Sequence, residues 1–456
     1  MPLDFVGQFV QILFKGLEFK VNVLLYICVA ILFITLIKTS LLEQPVDEDE
    51  SMEHFIEDER IISEFSPNPL CSMLSSSPSV IVVEGKPGPV LNTCDGTFIN
   101  FATRNYRNFE EEFSILEDSI DTLAEYGVGT CGPRGFFGTL KPHLDLEETT
   151  SKLFNEEAYC IHFPLAYSAR MSVLSVFAHK RDIVFVDELI CAGLLTGIAL
   201  TKAKRVIFRH NDADDFERVV RLHPRAKNGR SFVILEGIYE KTGCVANLPE
   251  FVHIAKEYNV IVVVDDALAL AVLGKKGLGS LDYHSLSLSD VDLLLGSYEN
   301  AVGSMGGFCI SSDAEVIEHQ RLTALGYVFS ATIPTFHCMA SVSVLKRLDG
   351  SKRLGERARL VHRMLFDMLK KHGIECNLLS DPISPRKVVT LSSPVVVAGC
   401  IVFFRERRIA IEIIHDTKCE SSKIYAVAFN VQERHSIGHI ASLVEVLDDY
   451  CSQISL

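Results

Sequence analysis

The sequence contains no tryptophan, no C-x-x-C pair, no N-x-[ST] sequon and no excess of basic residues. Acidic residues outnumber basic ones 59 to 44, for a formal net charge of −15 at pH 7. A nucleic acid needs basic side chains to match its phosphates, so nucleic acid is not an expected partner. The 13 cysteines are scattered singly. That argues against a zinc site and a compact disulfide framework, and points to a reducing compartment. The missing glycosylation sequon agrees with that side of a membrane. There is also no P-loop, no H-E-x-x-H and no G-x-S-x-G elbow, which removes the reactions those motifs serve.

What the chain does have is apolar mass: 48% of its residues are hydrophobic and the mean hydropathy is +0.23. That content excludes disorder for most of the chain. The 456 residues are enough for about two to four domains. Part of the hydropathy is concentrated near the start. Val21 to Ile37 is uncharged and is bracketed by Lys20 and Lys38. At about 1.5 Å per residue this run reaches roughly 26 Å, close to a hydrocarbon core of about 30 Å. The flanking lysines can snorkel to close the gap. Leu3 to Phe19 alternates aromatic and aliphatic residues with Gln8, Gln11 and Lys15, as an interfacial amphipathic helix does. Residues 1–40 are therefore expected to form an amphipathic and transmembrane anchor, and residues 41–96 an acidic linker and N-terminal arm. Orientation is contested. Lys15 and Lys20 precede the span and Lys38 follows it, which favours a cytosolic N-terminus. The free cysteines and absent sequons favour the reverse and carry more weight, so the large domain is expected in the cytosol.

From Phe98 the pattern changes to short β-branched runs alternating with helical stretches. Strands are predicted at Ile183–Val186, Val206–Arg209, Phe232–Leu235, Val260–Val264, Leu293–Leu295 and Gly307–Ile310. Helices are predicted at Glu110–Tyr126, Leu189–Lys202, Asp214–Leu222, Leu248–Tyr258 and Ala314–Leu325. Strands apolar on both faces, alternating with helices, predict an α/β fold with a mostly parallel central sheet covered by helices over 97–345. Residues 346–456 are expected to form a smaller C-terminal α+β domain. It would hold a long helix at Leu354–His372, strands near Val388–Leu391, Gly399–Phe404, Ile409–Ile414 and Ile424–Phe429, and a last helix at Gly438–Tyr450.

Two stretches carry chemical signals. Gly127, Gly129 and Gly132 formally match G-x-G-x-x-G, but a helix, not a strand, precedes them. The glycines let the backbone approach a ligand or another chain closely; an irregular surface loop has the same composition. Arg134 in that loop is a candidate anion contact. Asp265 follows the apolar strand Val260–Val264, at the end where parallel sheets bind ligands; a helix cap would also place an aspartate there. His210 has no second ligand at metal spacing, so it is read as structural or as part of a cap with Asn211 and Asp212. No metal site is expected.

In order, several motifs resemble the α-oxoamine synthase family of fold-type I pyridoxal-phosphate enzymes, and within it the long-chain-base subunits. They are Tyr126–Gly138 running on to His143-Leu144-Asp145-Leu146-Glu147, Asp182–Asp187, Phe208–Asp212, and Glu236–Tyr239 with Thr242-Gly243. Leu248-Pro249-Glu250, Val272-Leu273-Gly274, Glu299-Asn300-Ala301 with Gly306–Cys309, and Gly326-Tyr327 with Phe329-Ser330-Ala331 complete the set. The family's catalytic members hold the cofactor on a lysine as a Schiff base. The resemblance places Asn300 at that lysine, Cys191 at a ring-stacking histidine and Leu268 at a second histidine, while Asp265 matches the aspartate that pairs with the pyridine ring. Cys191, Asp265, Leu268 and Asn300 thus outline a vestigial cofactor site, with no catalytic residue in this chain. Lys275 and Lys276 lie in the loop after Gly274, in a different motif, and Lys202 lies at a helix end.

The resemblance further implies a heterodimer with a homologous catalytic subunit, whose lysine would carry the pyridoxal phosphate. Gly127, Gly129, Cys131, Gly132, Arg134 and Phe137 would form an interface loop completing the partner's site. The implied reaction condenses L-serine with palmitoyl-CoA to 3-oxosphinganine, CO2 and CoA, in sphingolipid synthesis. The implied location is the endoplasmic reticulum membrane, single-pass, in contact with membrane lipid and with small regulatory membrane proteins. Two alternatives are a self-sufficient enzyme using an unusual lysine, and a scaffold with no role in the chemistry.

Overall fold

The computed structural model describes residues 81–154, 158–225, 228–348, 350, 352–372, 378–414 and 425–454. The expected anchor at 1–40 and most of the expected linker lie outside the described residues. Among the described residues no helix is long and apolar enough to cross a membrane.

The described part opens with a hairpin of β1 (Val90–Thr93) and β2 (Gly96–Asn100), so a strand begins before residue 97. The large sheet has seven strands in the order β3-β9-β8-β7-β6-β4-β5. They are β3 (Tyr159–Phe163), β4 (Ile183–Asp187), β5 (Lys204–Phe208), β6 (Ser231–Glu236), β7 (Ile261–Asp265), β8 (Leu293–Ser297) and β9 (Gly307–Ser311). The run β8-β7-β6-β4-β5 is parallel, and β9 runs against both of its neighbours. The two-residue period of each strand divides it between two cores. Ile183 and Phe185 of β4, Val233 and Leu235 of β6, and Val262 and Val264 of β7 face one core. Val184, Val186, Phe232, Ile234 and Val263 face the other. Both faces are covered by helices, which is why these strands read as continuous apolar runs.

A third core forms at the C-terminal end. It is built on the antiparallel sheet of β10 (Arg386–Thr390), β12 (Glu412–Ile414) and β13 (Ala426–Asn430), and on the helices Lys352–Lys371 and Ile437–Ile454. Phe101 belongs to this core, and β2 pairs with β11 (Ile409–Ala410). The start of the large segment is therefore stitched to the end of the chain.

One predicted element is corrected. Gly399–Phe404, read as a strand from its β-branched residues, lies inside the helix Pro394–Glu406. Ser393 caps that helix by accepting from the Val396 N–H, with Pro394 in its first turn. Val397, Cys400 and Phe404 are its buried residues, a helical spacing. The start signal outweighs the local strand preference.

Candidate functional site

The carboxyl ends of β4, β6, β7 and β8 carry Asp187, Glu236, Asp265 and Ser297, all buried. This edge is where open α/β sheets bind ligands. Asp265 is 2% exposed. Its Oδ2 accepts from Arg170 Nε at 2.5 Å, and its Oδ1 accepts from the Ala267 N–H at 2.9 Å. Arg170 lies on the helix Ala166–Phe177 and is the only charged residue in it. Burial pulls the Arg170 pKa down, but Asp265 and then the neighbouring acidic groups outweigh it and hold the guanidinium cationic. Asp266, the next residue, turns away to accept from the N–H and hydroxyl of Ser280.

The charges continue in a chain. Arg170 also reaches Glu240 at 3.3 Å, and Glu240 binds Arg104 at 2.9 Å. Arg104 and Arg386 each bind Glu412 at 2.6 Å. The network ties the edge of the large sheet to the C-terminal sheet.

Cys191 is buried at the N-cap position of the helix Ala192–Thr201, with no side-chain cap bond. Its N–H donates to Glu236 Oε1 at 2.6 Å. Burial pushes the Cys191 thiol pKa up, and burial pushes Glu236 up to about 8. Ligand atoms of Cys191, Glu236 and Glu240 lie within 4.8 Å of one another. Glu240 is already engaged within the chain, paired with Arg170 and Arg104.

Asn300 sits in the turn after β8, and its Nδ2 donates to the Ala267 carbonyl at 2.7 Å. Asp265 and Asn300 therefore share one residue, Ala267, as a bridge. Glu299, beside it, accepts from the Ala166 N–H at 2.8 Å. Asn300, Glu299, Thr103, Arg104, Gly303 and Ser304 border a cavity of about 410 Å³. Leu268 is buried in the core on the Val264 face of the sheet. Asp187 at the end of β4 takes His210 Nδ1 at 2.9 Å, while His210 Nε2 meets Thr242 Oγ1 at 3.1 Å. Burial lowers the imidazole pKa, but Asp187 outweighs it and raises it to about 10. His210 is thus a cationic brace, and Asp212 supplies the adjoining helix cap by accepting from the Asp215 N–H.

The glycine-rich loop follows the helix Phe113–Tyr126. Val128 is 77% exposed, Phe136 64% and Phe137 100%. Cys131 is exposed. Cys131 and Phe137 both hold positive φ, 56° and 65°, which costs energy in residues with a Cβ. Gly138 packs so tightly that a Cβ there would press into the Gly132 carbonyl oxygen. Gly127 and Gly129 have open space around them. Arg134 differs from expectation: it is 7% exposed, pairs with Glu147 at 3.0 Å and donates from Nε to Thr139. An arginine buried against Glu147 anchors the loop and is withdrawn from any incoming anion.

The structure brings Cys191, Asp265 and Asn300 to one sheet edge and sends Leu268 into the core. Sequence reasoning missed Arg170, Glu240 and Arg104, and it gave Glu299 no role although the residue stands in a quoted motif. A lone charge in an otherwise uncharged helix was the available signal for Arg170, since such a group needs a buried counter-ion.

The family model described as aminotransferase class I and II matches residues 96–380. Serine palmitoyltransferase 1 of Dictyostelium discoideum is 33% identical over 342 residues, which is 72% of this chain and 71% of that one. Long chain base biosynthesis protein 1 of Arabidopsis thaliana is 31% identical over 318 residues, 68% of this chain and 63% of that one. Among solved structures, the Sphingomonas wittichii serine palmitoyltransferase superposes with a TM-score of 0.75 at 23% identity, covering 87% of this chain and 97% of that one. The S. paucimobilis enzyme with a bound PLP–myriocin aldimine gives 0.75 at 22% identity, covering 89% and 98%. These likenesses establish a fold-type I aminotransferase-like fold, and the chain belongs to the serine palmitoyltransferase 1 group of the aminotransferase class I and II family.

Proposed function

We propose that this chain is the membrane-anchored, non-catalytic subunit of a serine palmitoyltransferase, the complex that condenses L-serine with palmitoyl-CoA to 3-oxosphinganine, CO2 and CoA. The observation that carries the reading is Asn300, at the position matched to the Schiff-base lysine and held by the Ala267 carbonyl. An amide cannot form an imine with an aldehyde. The residues around it do not fit pyridoxal phosphate either: the Asp265 carboxylate that would meet a pyridinium already holds Arg170. The cofactor then belongs on the lysine of a homologous partner subunit.

This chain's contribution is a wall. The exposed loop with Cys131 and Phe137 would cover the partner's site, position its substrates and exclude water. The segment 21–37 would anchor the complex in the endoplasmic reticulum membrane by a single pass, with the large domain cytosolic and the N-terminal helix open to small regulatory membrane proteins. The test is to isolate the complex from membranes, reduce it with borohydride and map the pyridoxyl group by peptide mass. The expected label is on a lysine of the partner; a label on any lysine of this chain overturns the reading.

A further inference from the structure

We infer that the cleft is shut to pyridoxal phosphate by this chain's own charges, Arg170 standing where the cofactor's ring cation would go and Glu299 where its phosphate would go. The inference rests on reading the cleft as a former cofactor site, and it goes beyond the missing lysine.

Pyridoxal phosphate offers three handles: a pyridinium N–H, an aldehyde and a phosphate. At the pyridinium end, both oxygens of Asp265 are engaged, by Arg170 Nε at 2.5 Å and by the Ala267 N–H at 2.9 Å. Arg170 cannot swing aside freely, because Glu240 and through it Arg104 hold its other side. At the other end, Glu299, next to Asn300, reaches the N-terminus of the helix Ala166–Phe177. A helix start collects negative charge through its free N–H groups. This one begins at Pro164-Leu165-Ala166 with no side-chain cap. Its Ala166 N–H already donates to the Glu299 carboxylate at 2.8 Å. A phosphate arriving there would meet a like charge. Between the two ends, the Asn300 amide is tied to Ala267. A cation, an amide and an anion thus reproduce the cofactor's sequence of charges from within the chain.

The full chain in its native complex supplies the test, by borohydride reduction with excess pyridoxal phosphate and peptide mapping of residue 300. N300K alone is expected to label only weakly there. N300K with R170N and E299S is expected to label at least about tenfold more, about 1.4 kcal/mol in affinity. Equal labelling of the two variants overturns the inference, and so does a folded triple variant that takes no label. Where the triple variant does not fold, the native complex decides. It is dialysed against 4′-deoxypyridoxine phosphate, which cannot form an imine. No binding beyond the partner's site is expected; one extra equivalent per copy of this chain overturns the inference. A label on another lysine of the native chain would instead sink the non-catalytic reading, so the two failures are distinguishable.

Discussion

At the carboxyl edge of the sheet, the buried acids find their partners inside the chain, Asp187 with His210 and Asp265 with Arg170, and the half-buried Glu240 beside them pairs with Arg104. In the loop 127–138 the reverse holds. Its charged residue, Arg134, is turned inward, and the apolar side chains of Val128, Phe136 and Phe137 are left in solvent. A cleft whose charges are satisfied internally is complete as a folded object. A loop that exposes two phenylalanines and holds one of them at positive φ gains from a covering surface. The contrast separates a region kept for the fold from a region kept for another chain.

The comparison breaks most severely if Arg170 is removed. Arg170→Ala leaves Asp265 buried without its cation, and breaking such a pair costs about 3–5 kcal/mol. A large fall in the urea midpoint of the isolated chain is expected, with Arg170→Lys intermediate because it keeps the charge and loses the second contact. An unchanged midpoint would mean the cleft is not held by its ion pairs.

Acid comes next. Burial pushes the Glu412 pKa up, but Arg386 and Arg104 outweigh it and bring it down to about 2. A depressed carboxylate stabilises the fold fully above its unfolded value near 4.5, and that stability is lost as pH falls toward 2. The unfolding free energy is expected to fall by about 3 kcal/mol across that window. Glu412→Gln should flatten the acid limb attributable to this network. An identical acid limb in the variant would take Glu412 out of it.

Much of this fold is legible in the sequence because burial on both faces writes it plainly. Phe232–Leu235 and Val260–Val264 read as strands since no polar residue interrupts them. The run Gly399–Phe404 misleads for the same reason: its apolar residues speak for a strand, and only Ser393-Pro394 speaks for a helix start. Asp265 and Asn300 are visible through their motifs. Arg170 is not, and the motif that shows Glu299 does not show its role, because each acts on a residue more than 90 positions away, and no local spacing encodes such a closure. The inward turn of Arg134 was hidden likewise; its partner Glu147 lies on the next helix.

The loop can be broken within its own backbone. Gly138→Ala forces a Cβ against the Gly132 carbonyl, and overpacking of this kind costs about 1–3 kcal/mol. The complex is expected to lose more activity than the chain loses stability, since the displaced segment is the one proposed to face the partner. Activity falling only in step with stability would place the loop away from the shared site.

The smallest effect on the chain is the sharpest test of the comparison. Phe137 is fully exposed and makes no core contact to lose. Phe137→Ala should therefore leave the isolated chain's unfolding midpoint within about 0.5 kcal/mol of the parent, and relief of the positive φ is minor because alanine also carries a Cβ. In the complex, removing an apolar anchor that becomes buried should cost about 1–3 kcal/mol of association or turnover. The measurement is a pair: denaturation of the chain alone, and subunit dissociation with turnover of the complex. If both remain at parental values, the exposed phenylalanine is ordinary surface, and the division between a self-satisfied cleft and a partner-seeking loop fails at its most exposed residue.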